Sequence, residues 1–209
     1  MTIIIVSLLS SIAIIIASIL QYKKLLKVKY NEDCNAVSVL FWLLLTLSTL
    51  YTFIHLIDIN AYLYIIIAKG IGLGFIVILT IKVISLKVKK QTFTHIIAPI
   101  LIISMVFYLL LILLKTPVYV EIISTMYLLI AYIYQLYKIS NLKSSTGISS
   151  KAFLVITLSN VLIVITLVIN NVESLTLISQ CIATLMAFAM YKVSFIYKPK
   201  QKYVNKKVM

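Results

Sequence analysis

The chain has 209 residues, of which 63% are hydrophobic, and its mean hydropathy is +1.14. This composition excludes an ordinary water-exposed surface, so we expect most of the chain to lie in lipid. The formal net charge of +14 comes from lysines without any arginine, and no soluble segment is left to carry a nucleic-acid-binding surface, so nucleic acid is not an expected partner.

Seven continuous apolar runs between polar breaks predict seven membrane-spanning α-helices. A helix needs about 20 mostly apolar residues to cross a bilayer, and continuous rather than alternating runs exclude a β-barrel. In chain order the predicted helices cover residues 2–20, 36–57, 61–84, 96–114, 118–137, 152–169 and 175–193. The first run could also be a secretory signal peptide, but it has no basic segment before it, so we predict a permanent helix.

The lysines predict the orientation of these helices. Of the 19 lysines, 17 follow the first, third, fifth and seventh predicted helices, while Lys115 stands on the other side with Asp58, Glu121 and Glu173. By the positive-inside rule the lysine side faces the cytosol. We therefore predict a multi-pass protein, in the plasma membrane, with its N-terminus outside or lumenal and its C-terminus cytosolic.

A weak internal repeat predicts the architecture. The positions that correspond at a spacing of 111 residues are 36–38 with 147–149, Ser48 with Ser159, and Lys69 with Gln180. Two parallel three-helix bundles with one inverting linker helix between them would produce such a repeat. The predicted fold class is thus an all-α integral membrane protein of 3+1+3 helices. Its predicted parts are residues 1–90 (first bundle), 91–115 (linker helix), 116–197 (second bundle) and 198–209 (basic tail).

Three stretches of sequence resemble a known family. The segments from Gln21 to Ser38 and from Gln135 to Ser149 each resemble a PQ-loop, and residues 68–73 (Ala-Lys-Gly-Ile-Gly-Leu) resemble the pattern I-N-G-x-G of a substrate pocket. Together with the 3+1+3 layout, they resemble the SWEET and PQ-loop transporter superfamily over nearly the whole chain. The resemblance implies facilitative transport of a small polar solute, a sugar or related metabolite, by alternating access through a pocket between the bundles.

The chain departs from the family pattern at three pairs of positions. These are Leu20 and Tyr134 in place of the PQ prolines, Lys69 and Gln180 in place of two pocket asparagines, and Tyr51 and Leu162 roughly in place of tryptophans. The expected proline hinge and half of the sugar-stacking platform are therefore absent. The identity of the cargo is left open.

Lys69 is the leading candidate for a substrate-binding residue. It lies about eight residues into its helix, hence about 12 Å deep. A lysine near the midplane costs several kcal/mol unless it faces the bundle, finds a partner or loses its proton. The alternatives to binding an anionic or strongly polar solute are snorkelling to the outer face and pairing with Glu121 or Asp58.

Five further residues are candidates for substrate binding. Gln180 would contribute an amide to the pocket, or else a hydrogen bond between helices. Tyr51 and His55 share a helix face and would line an entrance or a proton relay, or else belong to an interfacial aromatic belt. Ser48 and Thr166, the repeat mate of His55, would add hydroxyl groups.

Other residues predict no chemistry of their own. Trp42 is expected to be an interfacial anchor, and Cys34 and Cys181 stand too far apart to suggest a disulfide or metal site. No catalytic set or metal-ligand spacing occurs, so we predict no enzyme activity, cofactor or metal.

Two alternatives to transport of a small polar solute stay open. One is a non-transporting seven-helix receptor or interaction protein of the same fold, and the other is a carrier of vitamin precursors, which would expect an aromatic cage that one tryptophan does not supply. The expected partners are a small-molecule solute and the lipid bilayer, and a homo-oligomer is left open.

Overall fold

Six α-helices make up most of the part of the chain that the structure, a computed structural model, describes. The described residues are 2–27, 36–58, 63–87, 117–172 and 174–198. We number the helices α1 (Thr2–Leu26), α2 (Val39–Asp58), α3 (Leu63–Lys87), α4 (Pro117–Leu142), α5 (Ser150–Ile169) and α6 (Ser174–Ile196). The predicted helix at 96–114, the linker segment 91–115 and the tail after residue 198 lie outside the described residues.

All six helices are long and apolar enough to cross a membrane. Their outer surfaces carry large exposed apolar side chains, as on α1, where Leu8, Ile12, Ile16 and Ile19 recur at helical spacing. Such a surface would be unstable in water and suits contact with lipid tails. The predicted class, an all-α integral membrane protein with several spans, is confirmed for these six helices.

Two helices extend beyond their predicted ends. Helix α1 continues to Leu26 and α4 to Leu142, whereas the apolar runs end at residues 20 and 137. The added turns consist mainly of residues with good helix propensity, and their lysines can reach the headgroup layer while the backbone stays helical. The apolar run therefore marks the limit of the hydrocarbon layer and not the end of the helix.

The six helices pack in a closed ring. Around the ring, each helix contacts the next in the order α1, α3, α2, α4, α6, α5 and back to α1. Exchanging α1 with α4, α2 with α5 and α3 with α6 reproduces the same set of contacts. The ring thus has two-fold pseudo-symmetry between a first bundle, α1–α3, and a second bundle, α4–α6, which agrees with the repeat in the sequence.

The two ends of the ring differ in charge. Every described lysine except Lys69 lies toward the ends of α1, α3, α4 and α6 or the beginning of α5, which we call the lysine-rich end. Asp58 and the beginnings of α3, α4 and α6 mark the opposite end.

Pairs of serines join the bundles at both interfaces. Ser10 and Ser159 have their hydroxyl oxygens 2.9 Å apart where α1 meets α5, and Ser48 and Ser124 have theirs 3.2 Å apart where α2 meets α4. Ser10 and Ser124 are repeat mates, as are Ser159 and Ser48. Small residues let helix backbones approach closely in a membrane, so both interfaces are tight and similar.

A buried glutamine from each bundle binds the loop of the other bundle at the lysine-rich end. The Gln21 amide donates to the Gly147 carbonyl at 2.9 Å and accepts from the Ser149 N–H at 2.9 Å. The Gln135 amide donates to the Ala36 carbonyl and accepts from the Ser38 N–H at 3.0 Å. We call these four hydrogen bonds the exchanged glutamine contacts.

The exchanged glutamine contacts fix the beginnings of α2 and α5. Ser149 caps α5, because its hydroxyl accepts from the Ala152 N–H at 3.2 Å, and Ser38 does the same for the Phe41 N–H on α2. Each N-cap residue is thus held through its own backbone N–H by a glutamine of the other bundle. A helix in one bundle begins where it does partly because of the other bundle.

The turn before α5 requires a glycine. Gly147 has φ of 83°, in the left-handed region that side chains rarely adopt. We expect Gly147→Ala to destabilise the protein by about 1 kcal/mol, which lowers the thermal unfolding midpoint by roughly 2 to 4 °C. Gly74→Ala is the control, because an added Cβ there meets no atom within 4 Å and replaces a glycine inside a helix. An equal loss in both variants would contradict the prediction.

Candidate functional site

A cavity lies between the two bundles and is lined by side chains from all six helices. The space in it that is open to the centre of a water molecule measures about 130 Å³. That is room for roughly ten waters, and so for a small metabolite. The cavity extends from Lys69 and Gln180 toward Gln21 near the lysine-rich end.

Lys69 and Gln180 meet in the wall of the cavity. The Lys69 ammonium donates to the Gln180 side-chain oxygen at 2.8 Å, which joins α3 of one bundle to α6 of the other. These are the residues that the repeat pairs at a spacing of 111. Both readings of Gln180 hold, since its amide bonds another helix and also lines the cavity.

Unused hydrogen-bond donors remain at this contact. The buried Gln180 side-chain nitrogen has no hydrogen-bond partner among the described residues. A lysine ammonium carries three N–H groups, so Lys69 has donors left after binding Gln180. Lys69 is also the one charged side chain among the described residues that line the cavity. The site is therefore positive and rich in donors.

Uncharged polar side chains surround the middle of the cavity. Ser48, Thr49, Thr52, Asn160 and Ser179 belong to its lining. Thr49 and Asn160 are mates at the 111-residue spacing, so the pseudo-symmetry places a polar group on each side. Of the predicted site residues, Lys69, Gln180 and Ser48 are thus brought together.

Aromatic rings line the part of the cavity nearer the lysine-rich end. Trp42, Tyr132 and Phe153 belong to the lining, and Phe41 packs behind them with ring centroids 5.2 Å from Trp42 and 5.4 Å from Tyr132. The expectation that Trp42 is an interfacial anchor is wrong, because only 4% of it is exposed. The repeat could have indicated this, since Phe153 stands 111 residues after Trp42.

The other predicted site residues lie outside the cavity lining. Tyr51 is buried in an apolar cluster with Leu47 and Val120. His55 Nε2 lies 3.4 Å from the Thr176 hydroxyl. Thr166 donates to a carbonyl of its own helix and borders a much smaller void beside Lys69. None of the three is placed to touch a solute in this cavity.

Contacts between the bundles close the cleft at the opposite end. The Tyr64 hydroxyl donates to the Asn170 side-chain oxygen at 3.1 Å, and His55 meets Thr176, each pair joining the two bundles. An apolar cluster of Leu56, Ile65, Ile163 and Leu167 fills the space between them. We call this set of contacts the opposite-end seal.

Glu121 is a buried carboxylate close to the site. It lies on α4, is 1% exposed, and neither carboxylate oxygen has a hydrogen-bond partner within the described ranges. Its charge attracts Lys69, yet Glu121 does not line the cavity. The predicted alternative in which Lys69 pairs with Glu121 is thus realised only at longer range, because Gln180 takes the direct contact.

The described residues hold no group of three or more His, Cys, Asp or Glu side chains that could bind a metal ion. Comparison of the chain with protein-family models, with curated proteins and with solved structures finds no match. Function is therefore inferred from the repeat, the ring of helices and the cavity.

Proposed function

We propose that the chain is a facilitative membrane transporter of a small polar solute, a sugar or a related small metabolite, that works by alternating access. The observation that supports this most is the cavity itself. It lies between two bundles related by pseudo-symmetry, has Lys69 and Gln180 in its wall, and is large enough for a small metabolite. Transporters built from repeats place their substrate sites at such an interface.

The contacts between the bundles support a rocking motion. The opposite-end seal consists of side-chain hydrogen bonds and a few apolar contacts, which can separate without unfolding a helix. The serine pairs lie on the two sides of the ring and join helices of different bundles. The bundles would turn about these two close interfaces, opening one end of the cavity as the other closes.

The proposal includes the seven-helix 3+1+3 fold of the SWEET and PQ-loop superfamily. Its support is that α3 finishes at the lysine-rich end, whereas α4 begins at the opposite end. The chain between them must connect the two ends, and the apolar run 96–114 is long enough to cross as the inverting helix. By the positive-inside rule the lysine-rich end would face the cytosol.

Flux measured with purified protein in lipid vesicles tests the function. We expect saturable exchange of one class of labelled solute from a panel of sugars, amino acids and small acids. Because Lys69 lines the cavity, Lys69→Leu should lower that flux at least about tenfold, the loss expected for one charged hydrogen bond, and Lys69→Asn should lower it less.

Two outcomes would reject the proposal for this cavity. Flux that both Lys69 variants leave unchanged would place the transport route elsewhere. Ligand binding without flux of any solute in the panel would favour the non-transporting receptor.

A further inference from the structure

We infer that the solute of this cavity is a small monoanion, with a carboxylate bound by Lys69 and Gln180 and an apolar remainder packed against Trp42. The inference rests on the proposed function only in treating the ligand as cargo, since the binding site is the same for a carrier and for a receptor.

The unused donors at the Lys69–Gln180 contact define the anion site. Lys69 spends one N–H on the Gln180 oxygen at 2.8 Å, and the Gln180 nitrogen, buried in the wall, has no acceptor within the described ranges. An ionised carboxylate offers two acceptor oxygens and would receive hydrogen bonds from both groups. A ligand carboxylate would thus satisfy a buried donor that the protein leaves unpaired.

The charge balance of the cavity favours an anion over a neutral sugar. Lys69 is partly buried in a membrane-spanning helix, and its direct partner is a neutral amide oxygen. Hydroxyl groups of a sugar would add hydrogen bonds but leave the charge uncompensated. An anionic ligand supplies the missing charge at the place where the cavity is open to it.

The lining also disfavours a zwitterionic amino acid. Within the described ranges, no Asp or Glu side chain belongs to the lining, so an ammonium group on the ligand would find no carboxylate. Glu121, outside the lining, is close enough to attract Lys69 but not to receive the ligand. The site therefore suits one negative charge without a positive one.

The aromatic part of the cavity sets the rest of the ligand. Trp42, Tyr132 and Phe153 line the region nearer the lysine-rich end, away from Lys69. Their rings would pack against alkyl or aryl groups rather than against a second charge. A short-chain or aromatic monocarboxylate combines both requirements within a cavity of about 130 Å³.

Trp42 makes the inference directly testable, because it is the single tryptophan of the chain and lies in the cavity wall. We would titrate the full-length protein in lipid nanodiscs with benzoate and benzamide, with butyrate and butyramide, and with glucose, while recording tryptophan fluorescence. Each amide keeps the shape of its carboxylate and removes the charge. We expect the carboxylates to bind at least about tenfold more tightly than their amides, the difference expected for charged hydrogen bonds.

Three variants identify the residue responsible. Lys69→Met should bring carboxylate and amide affinities within about twofold of each other. Lys82→Met makes the same substitution on the same helix outside the cavity lining, and should keep the full preference. Glu121→Gln should bind the carboxylates at least as tightly as the unaltered chain, because it removes a negative charge that competes for Lys69.

The inference is overturned if each amide binds as well as its carboxylate, if the preference survives Lys69→Met, or if Glu121→Gln abolishes it. Failure of the inference and failure of the proposed function differ in their results. Carboxylate preference without vesicle flux would reject transport and keep the anion site. Flux of a neutral solute without carboxylate preference would reject the anion site and keep transport.

Discussion

Joining position 64 to position 170 by a short covalent cross-link is expected to abolish transport. Tyr64 and Asn170 belong to different bundles, and their hydrogen bond of 3.1 Å forms part of the opposite-end seal. Alternating access requires this end to open, and a covalent bond between the bundles would keep it closed. Because no fraction of cross-linked molecules can open, the expected loss of flux is complete.

The measurement uses Tyr64→Cys with Asn170→Cys in a chain that carries Cys34→Ser and Cys181→Ser. A short bifunctional thiosulfonate reagent joins the two thiols, and a reducing agent releases them. Flux should stop after cross-linking and return after reduction. Binding measured by tryptophan fluorescence should persist, because Trp42 lies toward the other end of the cavity.

A pair inside one bundle provides the matched control. The Thr46 and Thr80 hydroxyl oxygens are 2.7 Å apart between α2 and α3, both in the first bundle. Cross-linking Thr46→Cys to Thr80→Cys should leave flux intact, because a bundle that rocks as a unit does not separate there. Flux that survives the 64–170 cross-link, or that the 46–80 cross-link equally abolishes, would rule out rocking of the two bundles.

Replacing Gln135 by leucine is expected to produce the largest loss of stability among single substitutions in the described helices. The change removes both hydrogen bonds to the first bundle and leaves the Ala36 carbonyl and the Ser38 N–H unpaired. Each buried backbone group left unpaired costs about 1 to 3 kcal/mol. The sum of roughly 2 to 5 kcal/mol should lower the thermal unfolding midpoint by roughly 5 to 15 °C.

Pseudo-symmetry predicts that Gln21→Leu behaves like Gln135→Leu, because Gln21 makes the same two contacts with the second bundle. Asn141→Leu is the control on α4, since Asn141 is exposed and should change stability by less than about 0.5 kcal/mol. Unfolding of the purified protein in detergent can be followed by the fluorescence of Trp42. A midpoint for either glutamine variant equal to that of Asn141→Leu would contradict the prediction.

The sequence was most informative where the solvent decides the structure. Apolar runs located all six described helices, because a bilayer demands about 20 apolar residues per crossing whatever the fold. The 111-residue spacing predicted Lys69 and Gln180 as mates, and the structure places them 2.8 Å apart. A repeat carries tertiary information because two equivalent positions near a pseudo-symmetry axis are also near each other.

The rotation of each helix could not be predicted in this way. Lipid tails are as apolar as the interior of the bundle, so the side of a helix that faces inward does not differ in hydrophobicity from the side that faces lipid. For that reason Trp42 was expected at the interface although it lines the cavity, and Tyr51 was expected in the pocket although it is buried elsewhere. Only a polar residue such as Lys69, costly in lipid, indicated its own direction.

The exchanged glutamine contacts carried no local signal of their geometry. Gln21 and Gln135 were noted as parts of two similar motifs, but each bonds a loop more than 95 residues away. Their spacing is 114 rather than 111 residues, because the connection from α1 to α2 is three residues longer than that from α4 to α5. A comparison at one fixed spacing therefore misses this pair.

These contacts also have a consequence for how the protein is made. The ribosome completes α2 long before it reaches Gln135, so the Ala36 carbonyl and the Ser38 N–H enter the bilayer without their final partner. Unpaired backbone groups are costly away from water, and the first three helices would therefore be a poorly assembled intermediate during translation. Insertion machinery would need to shelter that intermediate until α4 arrives, and a chain interrupted before residue 135 should be an early target of membrane quality control.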